Sequence, residues 1–259
     1  MEKEYRYVVQ SASRVLEVLE ECARCGSISI KELSEGLGLG KSNIHRFLST
    51  LEQLGYVEQL NDRGKYRVTA KLFQLGMQSI QSFDILEQAS EVCRRISNLS
   101  QETVHLVVLN GNRAIFINKV SQGNLVTYSG VGKTAPPHCI ASGKALLAYL
   151  PKDDLERILA DYPFESYTAN TIVNRDELVK QLEIIRRLGY ATDLEEFELG
   201  VSCVAAPIYR YDGLVTATLS ITMLAANLNE EKRQKMINLV IQGANEISTN
   251  LGYPGNVRR

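Results

Sequence analysis

The sequence predicts an α+β protein in which a mainly helical N-terminal part is joined by a helix to a C-terminal antiparallel sheet with helices packed on it. Apolar residues recur at helical spacing up to residue 55, and alternating segments at 56–68 then form a hairpin. From residue 102, strand runs come first, helical segments follow, and strands return. We therefore expect domains at residues 1–70 and 85–259, linked by a helical segment at 71–84.

Composition restricts the class of protein. The chain has 259 residues, 44% of them hydrophobic, which is enough for packed cores and too many for a disordered chain. The net charge of −1 means that any basic surface must be local. The five cysteines are odd in number and unevenly spaced, which favours reduced thiols over a disulfide framework. The first residues, MEKEYRYVVQ, are not a signal peptide, and no apolar run approaches the ~18 residues of a membrane span, so we expect a soluble cytoplasmic protein with no membrane partner.

The stretch GLGLGKS at 36–42 is similar to a phosphate-binding loop of nucleotide hydrolases. That loop reads GxxxxGK[ST] after a buried strand, but Glu35 stands where the first glycine is required. The preceding Ser29-Ile-Lys-Glu32 is a capping box that opens a short helix, and Gly132-Lys133-Thr134 lacks its first glycine too. A nucleotide-hydrolysing loop is therefore not expected.

A helix is predicted after Gly40, ending at Gly55. Its apolar stripe comprises Ile44, Phe47, Leu48, Leu51 and Leu54. An earlier helix is expected to bury Ala12, Val15, Leu16 and Leu19. The short helix, the Gly-Leu-Gly turn and the second helix form a helix-turn-helix.

A hairpin follows the second helix. Apolar and polar residues alternate over 56–60 and again over 65–68, and residues 61–64 are predicted to form the turn between these two strands. Such a hairpin is typical of the wing of a winged helix. Residues 38–76 hold six cations, Lys41, Arg46, Arg63, Lys65, Arg67 and Lys71, against three anions, Glu52, Glu58 and Asp62. Positive charge is thus concentrated in the part that would meet DNA.

Double-stranded operator DNA is therefore the expected partner, with its phosphates at the N-terminus of the second helix. The candidate contacts are Lys41, Ser42, Asn43, His45, Arg46 and Ser49 on the helix, and Arg63 and Lys65 on the wing. Ser42, Asn43, His45 and Arg46 are the candidates for reading bases. Two alternatives remain: a solvated polar face, and a protein-docking winged helix.

The linking helix at 69–82 is rich in apolar residues, namely Leu72, Phe73, Leu75, Met77 and Ile80. They either pack on their own winged helix or form a dimer seam, because two-fold DNA readers need paired half-sites. Both interpretations can hold together.

The remaining elements follow from their periodicity and turn residues. Beyond a helix at 85–99, strands are predicted at 103–109, 114–120, 125–130, 204–209 and 214–223, and helices at 139–150, 152–159, 175–188 and 229–251.

Over nearly its whole length the chain resembles the IclR-type bacterial transcriptional regulators. The residues that carry the likeness are SASRVLEVLE, GLGKSNIHRFLSTLEQLGYV, YRVTAKLFQLG, APPHCIASGKALLAYLP and LGYATDLEEFELGVSCVAAPIYRYDGLVTATLSI. The resemblance implies a GAF-like effector domain, homodimers formed largely through the DNA-binding half, and often homotetramers. It also implies that the effector is a small organic acid of carbon catabolism.

By this resemblance, effector-contacting groups are expected at Ala141, Ser142, Asp193, Cys203, Ser220 and Thr222. The chemistry of these residues supports the same site, because a helix that begins after Pro136-Pro137 offers free amides and the Ser142 hydroxyl to a carboxylate. Lys144 either helps or is solvated, and Val201 is expected in an apolar wall. Asp193 would repel a carboxylate unless it is protonated or accepts from a ligand hydroxyl, which indicates a hydroxy, keto or sugar acid.

Two other functions, that of an enzyme and that of a zinc-binding protein, would use some of the same residues. Cys203, His138 and Asp193 have the residue types of a nucleophile, a base and an orienting group. His138, Cys139, Asp193 and Cys203 are possible zinc ligands, although they lack a local ligand pair. We expect a ligand-responsive repressor or activator, with no catalytic residue, no metal and no cofactor.

Overall fold

The computed structural model describes residues 9–60, 64–81, 85–122 and 128–255, and only the backbone of 76–81. The chain divides into two compact units, Met1–Phe83 and Asp84–Arg259. The helix that follows the wing belongs to the first unit. That residues 71–84 form a dimerisation segment stays a prediction.

The first unit combines helices with a small sheet. Its helices are α1 (Gln10–Cys25), α2 (Ile30–Leu37), α3 (Lys41–Gln53) and α4 (Ala70–Gln81). Its strands are β1 (Ile28–Ser29), β2 (Val57–Gln59) and β3 (Lys65–Val68), in the antiparallel order β1-β3-β2. The winged helix-turn-helix arrangement is confirmed, with an added strand, β1, too short to show a periodicity in sequence.

Local signals position α2 and α3. The Ser29 hydroxyl and the Glu32 carboxylate form the predicted reciprocal capping box at the start of α2. Gly38 ends α2 in the left-handed conformation, with φ of 63°, which a side chain would disfavour. Because the turn is this short, α3 begins three residues later, at Lys41.

Two apolar assignments in the first unit are wrong. Ala12 and Leu16 of α1 are exposed, whereas Val18 and Cys22 are fully buried. Apolar residues on α1 form two overlapping stripes, and only packing against α3 selects the one that faces inward. Leu54 is 53% exposed because α3 ends at Gln53, so Leu54 lies beyond the buried stripe.

The second unit is built around one six-stranded sheet. Its strands are β4 (Thr103–Asn110), β5 (Arg113–Val120), β6 (Thr134–Ala135), β7 (Ala191–Leu194), β8 (Val201–Tyr209) and β9 (Val215–Leu224). Their order is β6-β5-β4-β9-β8-β7, with every neighbouring pair antiparallel. Its helices are α5 (Ile85–Ser100), α6 (Ala141–Ala148), α7 (Lys152–Leu159), α8 (Arg175–Leu188) and α9 (Glu230–Asn250), besides a 3-10 turn at Ala225–Asn227.

The two faces of this sheet differ in chemistry. Alternate residues of β4, β8 and β9, including Leu106, Leu219 and Ile221, form an apolar core with α5 and α9. Gly243 lets α9 approach closely, since a Cβ there would lie 2.7 Å from Leu219 Cδ2. The opposite face is covered partly by α6 and carries many polar side chains. That face is where a binding site can form.

The structure departs from the predicted elements in several places. β6 and β7 were not predicted, since strands of two and four residues show little alternation. Residues 125–127 of the predicted strand at 125–130 lie outside the described residues, and Tyr128–Gly130 is not a strand. α6 begins at Ala141 rather than 139 because Ile140 is extended, with φ of −124° and ψ of 143°. No helix in the described part of the chain is long and apolar enough to cross a bilayer.

Candidate functional site

The orientation of α3 is determined by its buried side. Ile44, Leu48 and Leu51 are buried in the core of the first unit. The opposite side is therefore turned to solvent, and all six predicted helix contacts are exposed: Lys41, Ser42, Asn43, His45, Arg46 and Ser49. These residues form one polar surface, which we call the α3 surface.

The N-terminal end of α3 suits an anion. Gly40 is its N-cap and supplies no capping side chain, so the first amides of the helix remain accessible. Neither Lys41 nor Arg46 forms an ion pair with any residue in the described ranges. Positive charge and amide donors thus coincide at this end.

The six cations counted in the sequence around α3 are not all available to a ligand. Arg67 lies 2.6 Å from the Glu58 carboxylate. Lys71 donates to the Leu54 carbonyl at 2.6 Å, and its ammonium lies 4.6 Å from the centre of the Tyr56 ring. Lys65 is half-buried at the start of β3, and the predicted contact Arg63 lies outside the described residues. Lys41 and Arg46 are therefore the cations most available to a ligand.

The second unit holds a cavity of about 440 Å³, mouth included, on the polar face of its sheet. Six of the seven predicted effector residues line it: Ser142, Asp193, Val201, Cys203, Ser220 and Thr222. The seventh, Ala141, is fully buried at the start of α6, beside the cavity-lining Ser142.

Strand register explains why distant residues meet in this cavity. Asp193 lies opposite Cys203, and Cys203 lies opposite Thr222, so the three side chains share one face. Ser220 is two residues from Thr222 and points the same way. The Cys203 thiol donates to the Thr222 hydroxyl at 3.3 Å. A polar row therefore crosses three strands under the cavity.

Six further lining residues were missed from the sequence, namely Phe116, Tyr128, Ser129, Ile140, Phe197 and Glu198. The Phe197 ring contacts the rings of Tyr128 and Tyr167, with centroid separations of 5.4 Å and 4.9 Å. The Tyr128 amide donates to Glu198 at 3.2 Å. The two contacts of Tyr128 join segments about 70 residues apart, and the contact of Phe197 with Tyr167 joins segments about 30 residues apart, so no local sequence signal could have shown them.

The start of α6 offers donors to the cavity. Its N-cap, Ile140, provides no capping side chain, and both Ile140 and Ser142 line the cavity. Free amides of a first helical turn together with a hydroxyl suit a carboxylate. The predicted carboxylate position is therefore accessible from the cavity.

Gly143 determines how closely α6 approaches the preceding loop. A Cβ at this position would lie 2.3 Å from Pro137 Cα and 2.4 Å from the Pro137 carbonyl oxygen. We expect Gly143→Ala to displace the first turn of α6 and to lower the unfolding free energy by about 1–3 kcal/mol. Melting followed by circular dichroism checks this, with Gly130→Ala as control, because its Cβ would meet only the Lys133 side chain at 3.6 Å. Equal melting temperatures for the two variants would contradict the expectation.

Lys144 is neither a free anion ligand nor solvated, which corrects both interpretations from the sequence. It is 2% exposed, and its ammonium contacts both carboxylate oxygens of Glu196, at 2.6 Å from Oε2. The Glu196 carbonyl in turn accepts from the Thr171 hydroxyl at 2.6 Å. This buried pair ties α6 to the segment that carries Phe197 and Glu198.

Asp193 is almost completely buried, with 3% exposed. Burial, and then the nearby Glu196 carboxylate, raise its pKa to about 7. It accepts a hydrogen bond from the Glu196 amide at 2.8 Å. Burial therefore favours the protonated form of Asp193, which reduces the repulsion between this carboxyl and an anion.

The geometry does not support the alternative of a nucleophilic enzyme. Both His138 ring nitrogens are occupied, Nδ1 by the Tyr162 hydroxyl and Nε2 by the Glu165 carbonyl, each at 3.0 Å. Burial raises the pKa of the Cys203 thiol, the reverse of what a nucleophile needs. The zinc alternative is also unsupported, since the described residues contain no group of three or more His, Cys, Asp or Glu placed to hold a metal.

Comparisons with known proteins agree on both parts of the chain. Residues 8–61 match the IclR helix-turn-helix domain, and residues 77–249 match the bacterial transcriptional regulator IclR C-terminal domain. The regulator KdgR of Dickeya chrysanthemi is 36% identical over 246 residues, covering 95% of this chain and 81% of that protein. The repressor AllR of Escherichia coli K12 is 34% identical over 239 residues, covering 92% and 88%. The crystal structure of Thermotoga maritima IclR is similar at a TM-score of 0.76 and 31% identity, covering 95% of this chain and 100% of that one.

Proposed function

Because this chain belongs to the IclR family of bacterial transcriptional regulators, we propose that it is a repressor whose affinity for operator DNA is controlled by a small organic acid bound in the second unit. Membership of that family makes it a DNA-binding regulator rather than an enzyme. The observation that carries the ligand part is the meeting of Ser142, Asp193 and Cys203, from distant segments, in one cavity.

The proposed ligand follows from the donors and acceptors of this cavity. A carboxylate fits the amides at the start of α6 and the Ser142 hydroxyl. The hydroxyl of Ser220 suits a further oxygen, and Val201 and Phe116 contribute apolar contact. A small hydroxy, keto or sugar acid of carbon catabolism combines these features.

In the DNA complex we propose that the α3 surface enters the major groove, with Ser42, Asn43, His45 and Arg46 reading bases and Lys41 and Ser49 near phosphates. The wing, through Arg63 and Lys65, follows the backbone. The protein acts in the cytoplasm as a homodimer or a pair of dimers, so that two α3 helices meet two half-sites. Exposed apolar residues of the first unit, such as Leu16 and Phe73, are available for that association.

Control by ligand is a shift between dimer geometries. An effector that binds one geometry more tightly favours it, and the spacing of the two α3 helices then matches or misses the operator. The free-energy coupling of such systems is about 1–3 kcal/mol, or 5- to 150-fold in operator affinity.

The test screens the full chain against small carboxylates by thermal shift and then measures operator affinity with each acid that raises the melting temperature. We expect at least one hydroxy or keto acid to stabilise the protein and to change operator affinity at least fivefold. Operator affinity that is unchanged by every stabilising acid would refute control by ligand. A screen in which no acid stabilises the chain would refute an organic-acid effector.

The raised pKa of Asp193 predicts pH-dependent binding of such an acid. Burial, and then the neighbouring Glu196 and Glu195, raise this pKa, whereas the hydrogen bond from the Glu196 amide and the Lys144 ammonium lower it. Since a protonated Asp193 does not repel a carboxylate, we expect the Kd to rise about tenfold between pH 6 and pH 8. Asp193→Asn, which cannot ionise, should flatten this dependence, and calorimetric titrations at both pH values measure it. Exposed Asp176→Asn serves as the control and should keep the wild-type profile.

The raised pKa of Asp193 also determines the direction in which the stability of the fold changes with pH. The folded pKa of Asp193 lies above its ordinary value of 3.8, so the folded state holds a proton that the unfolded state releases. Its contribution to stability therefore falls as the pH rises from about 4 to 7 in the unliganded protein.

A further inference from the structure

The loop between β7 and β8, residues 195–200, contributes Glu198 to the lining of the effector cavity. The loop is held in place by its own contacts. The Val201 amide donates to the Glu198 carbonyl at 3.2 Å, and the Gly200 amide donates to the Glu195 carboxylate at 2.6 Å. The buried ion pair described above also ties this loop to α6. Glu198 therefore belongs to a wall that is already ordered before a ligand binds.

The carboxylate of Glu198 lies at the cavity. Glu198 is half-buried, and its Oε2 accepts a hydrogen bond at 3.2 Å from the amide of Tyr128, another lining residue. Burial, then Asp193, and also Glu198 raise the pKa of the Cys203 thiol. The negative charge of Glu198 thus acts on the polar row that crosses the strands under the cavity.

The charges around the cavity are unbalanced. Among the described residues that line it, two are acidic, Asp193 and Glu198, and none is a lysine, an arginine or a histidine. The ammonium of Lys144 is bonded to Glu196, and Lys144 is not a lining residue. The amides at the start of α6 suit one carboxylate, and no lining cation is available for a second. A second anionic group is therefore unfavourable, because like charges repel more strongly in a partly buried site than in water.

Glu198 also has hydrogen-bonding capacity to spare. An ionised carboxylate offers about four acceptor positions and no donor. Among the residues that the structure describes, the Tyr128 amide is the donor that it receives. A hydroxyl group of a ligand can donate to the remaining positions, and such charge-assisted hydrogen bonds are stronger than neutral ones. A methylene group or a keto oxygen cannot donate there.

We propose that Glu198 selects the effector: its carboxylate accepts a hydrogen bond from a hydroxyl group of the bound acid and repels a second carboxylate. The proposal rests on the proposed function and narrows the class of ligand. The effector is a hydroxylated acid with a single carboxylate, in preference to a dicarboxylic acid or an acid without hydroxyl groups.

The experiment is a calorimetric titration of the full chain, at a single pH, with three matched series of acids. Each series holds a hydroxy monoacid, the same chain without hydroxyl groups, and the same chain with a second carboxylate at its far end. The series are lactate, propionate and tartronate; 3-hydroxybutyrate, butyrate and malate; gluconate, hexanoate and glucarate. We expect the wild-type protein to bind at least one hydroxy monoacid about tenfold more tightly than both of its partners.

Glu198→Gln tests the charge directly. The substitution keeps the size of the side chain and an oxygen for the Tyr128 amide, but it removes the negative charge. We expect affinity for the diacid of the binding series to rise about tenfold, while affinity for the hydroxy monoacid falls and the acid without hydroxyl groups is little affected. A merely structural role cannot produce this result, since a damaged site does not gain affinity.

Glu195→Gln is the matched control. It removes a negative charge from the same loop, but Glu195 does not line the cavity and its carboxylate accepts from the Gly200 amide. This variant should keep the preference of the wild-type protein for the hydroxy monoacid over the diacid. An equal gain in diacid affinity for both variants would assign the effect to the charge of the loop as a whole and would refute the role of Glu198.

The other outcomes distinguish this proposal from its premise. If no acid of the panel binds the wild-type protein, the organic-acid effector is wrong and the role of Glu198 falls with it. If the wild-type protein binds diacids or acids without hydroxyl groups as tightly as hydroxy monoacids, the acid effector stands and the selection by Glu198 is refuted, whether or not the variants fold. A folded Glu198→Gln variant with unchanged affinities for all acids also refutes it.

Discussion

Replacing Lys144 by methionine is expected to lower the unfolding free energy of the second unit by about 3–5 kcal/mol. The substitution leaves the Glu196 carboxylate unpaired, and its side chain is only 11% exposed. A buried charge without a partner is far more costly than the pair is favourable. Urea titration with pulse labelling of the buried Cys139 thiol reports the unfolding of this unit, because that thiol is fully shielded in the folded state.

The matched variants test the cause of this loss. Glu196→Gln should also destabilise, whereas Lys144→Met combined with Glu196→Gln should recover to within about 2 kcal/mol of wild type, since no unpaired charge remains. The exposed pair of Arg157 with Asp154, at 2.8 Å, provides the control, and Arg157→Met should cost less than about 1 kcal/mol. A double variant as unstable as the sum of the two singles would show that Lys144 acts through packing rather than charge.

The second large effect is expected in DNA binding. The combined substitution Lys41→Ala and Arg46→Ala should weaken operator binding by on the order of 100-fold, because both cations lie on the α3 surface and neither forms an ion pair with a described residue. If both residues meet phosphates, the slope of log K against log salt should fall by about 1.8; if Arg46 reads a base, by about 0.9. A duplex selected by the wild-type protein from a random library, titrated at several salt concentrations, provides both quantities.

Arg67→Ala combined with Lys71→Ala is the matched control, since it removes two positive charges from the same unit. Arg67 already pairs with Glu58, and Lys71 is bonded to the Leu54 carbonyl, so a much smaller loss of affinity is expected. If the two double variants weaken binding equally, local net charge rather than the α3 surface accounts for the affinity. If the first double variant binds with unchanged affinity and salt slope, α3 does not enter the duplex.

Some elements could be predicted closely because their signals are local. The bounds of α7 and α8 agree with those predicted, and α3 begins where Gly40 indicated. Capping residues, terminal glycines and a 3.6-residue apolar repeat act within one or two turns, so they can be read from adjacent residues. The charges could be predicted only in part. The sequence showed the excess of cations around α3, but it did not show which of these cations form ion pairs or hydrogen bonds in the folded protein.

For the cavity, the family resemblance supplied the expected residues, and residue chemistry supplied a carboxylate site at the start of α6. Neither indicated Phe116, Tyr128 or Phe197, which reach the cavity from separate strands and loops. Neither indicated that Lys144 would meet Glu196, 52 residues away, or that His105 would lie beside Thr222, 117 residues away. These contacts depend on the strand order β5-β4-β9-β8-β7, which the residues of a single strand do not indicate.

By itself, then, the sequence determined a winged helix-turn-helix followed by a helix-covered antiparallel sheet, and the exposed polar surface of α3. Only the tertiary structure decided which side of α1 is buried, which cations are paired, and which ionisable groups share the cavity. The physical reason is the separation along the sequence of the groups that interact. Helical periodicity and capping depend on neighbours a few residues away. The pKa of Asp193, the partner of Lys144 and the unpaired nitrogen of His105 among the described residues depend instead on groups that strand pairing and burial bring together.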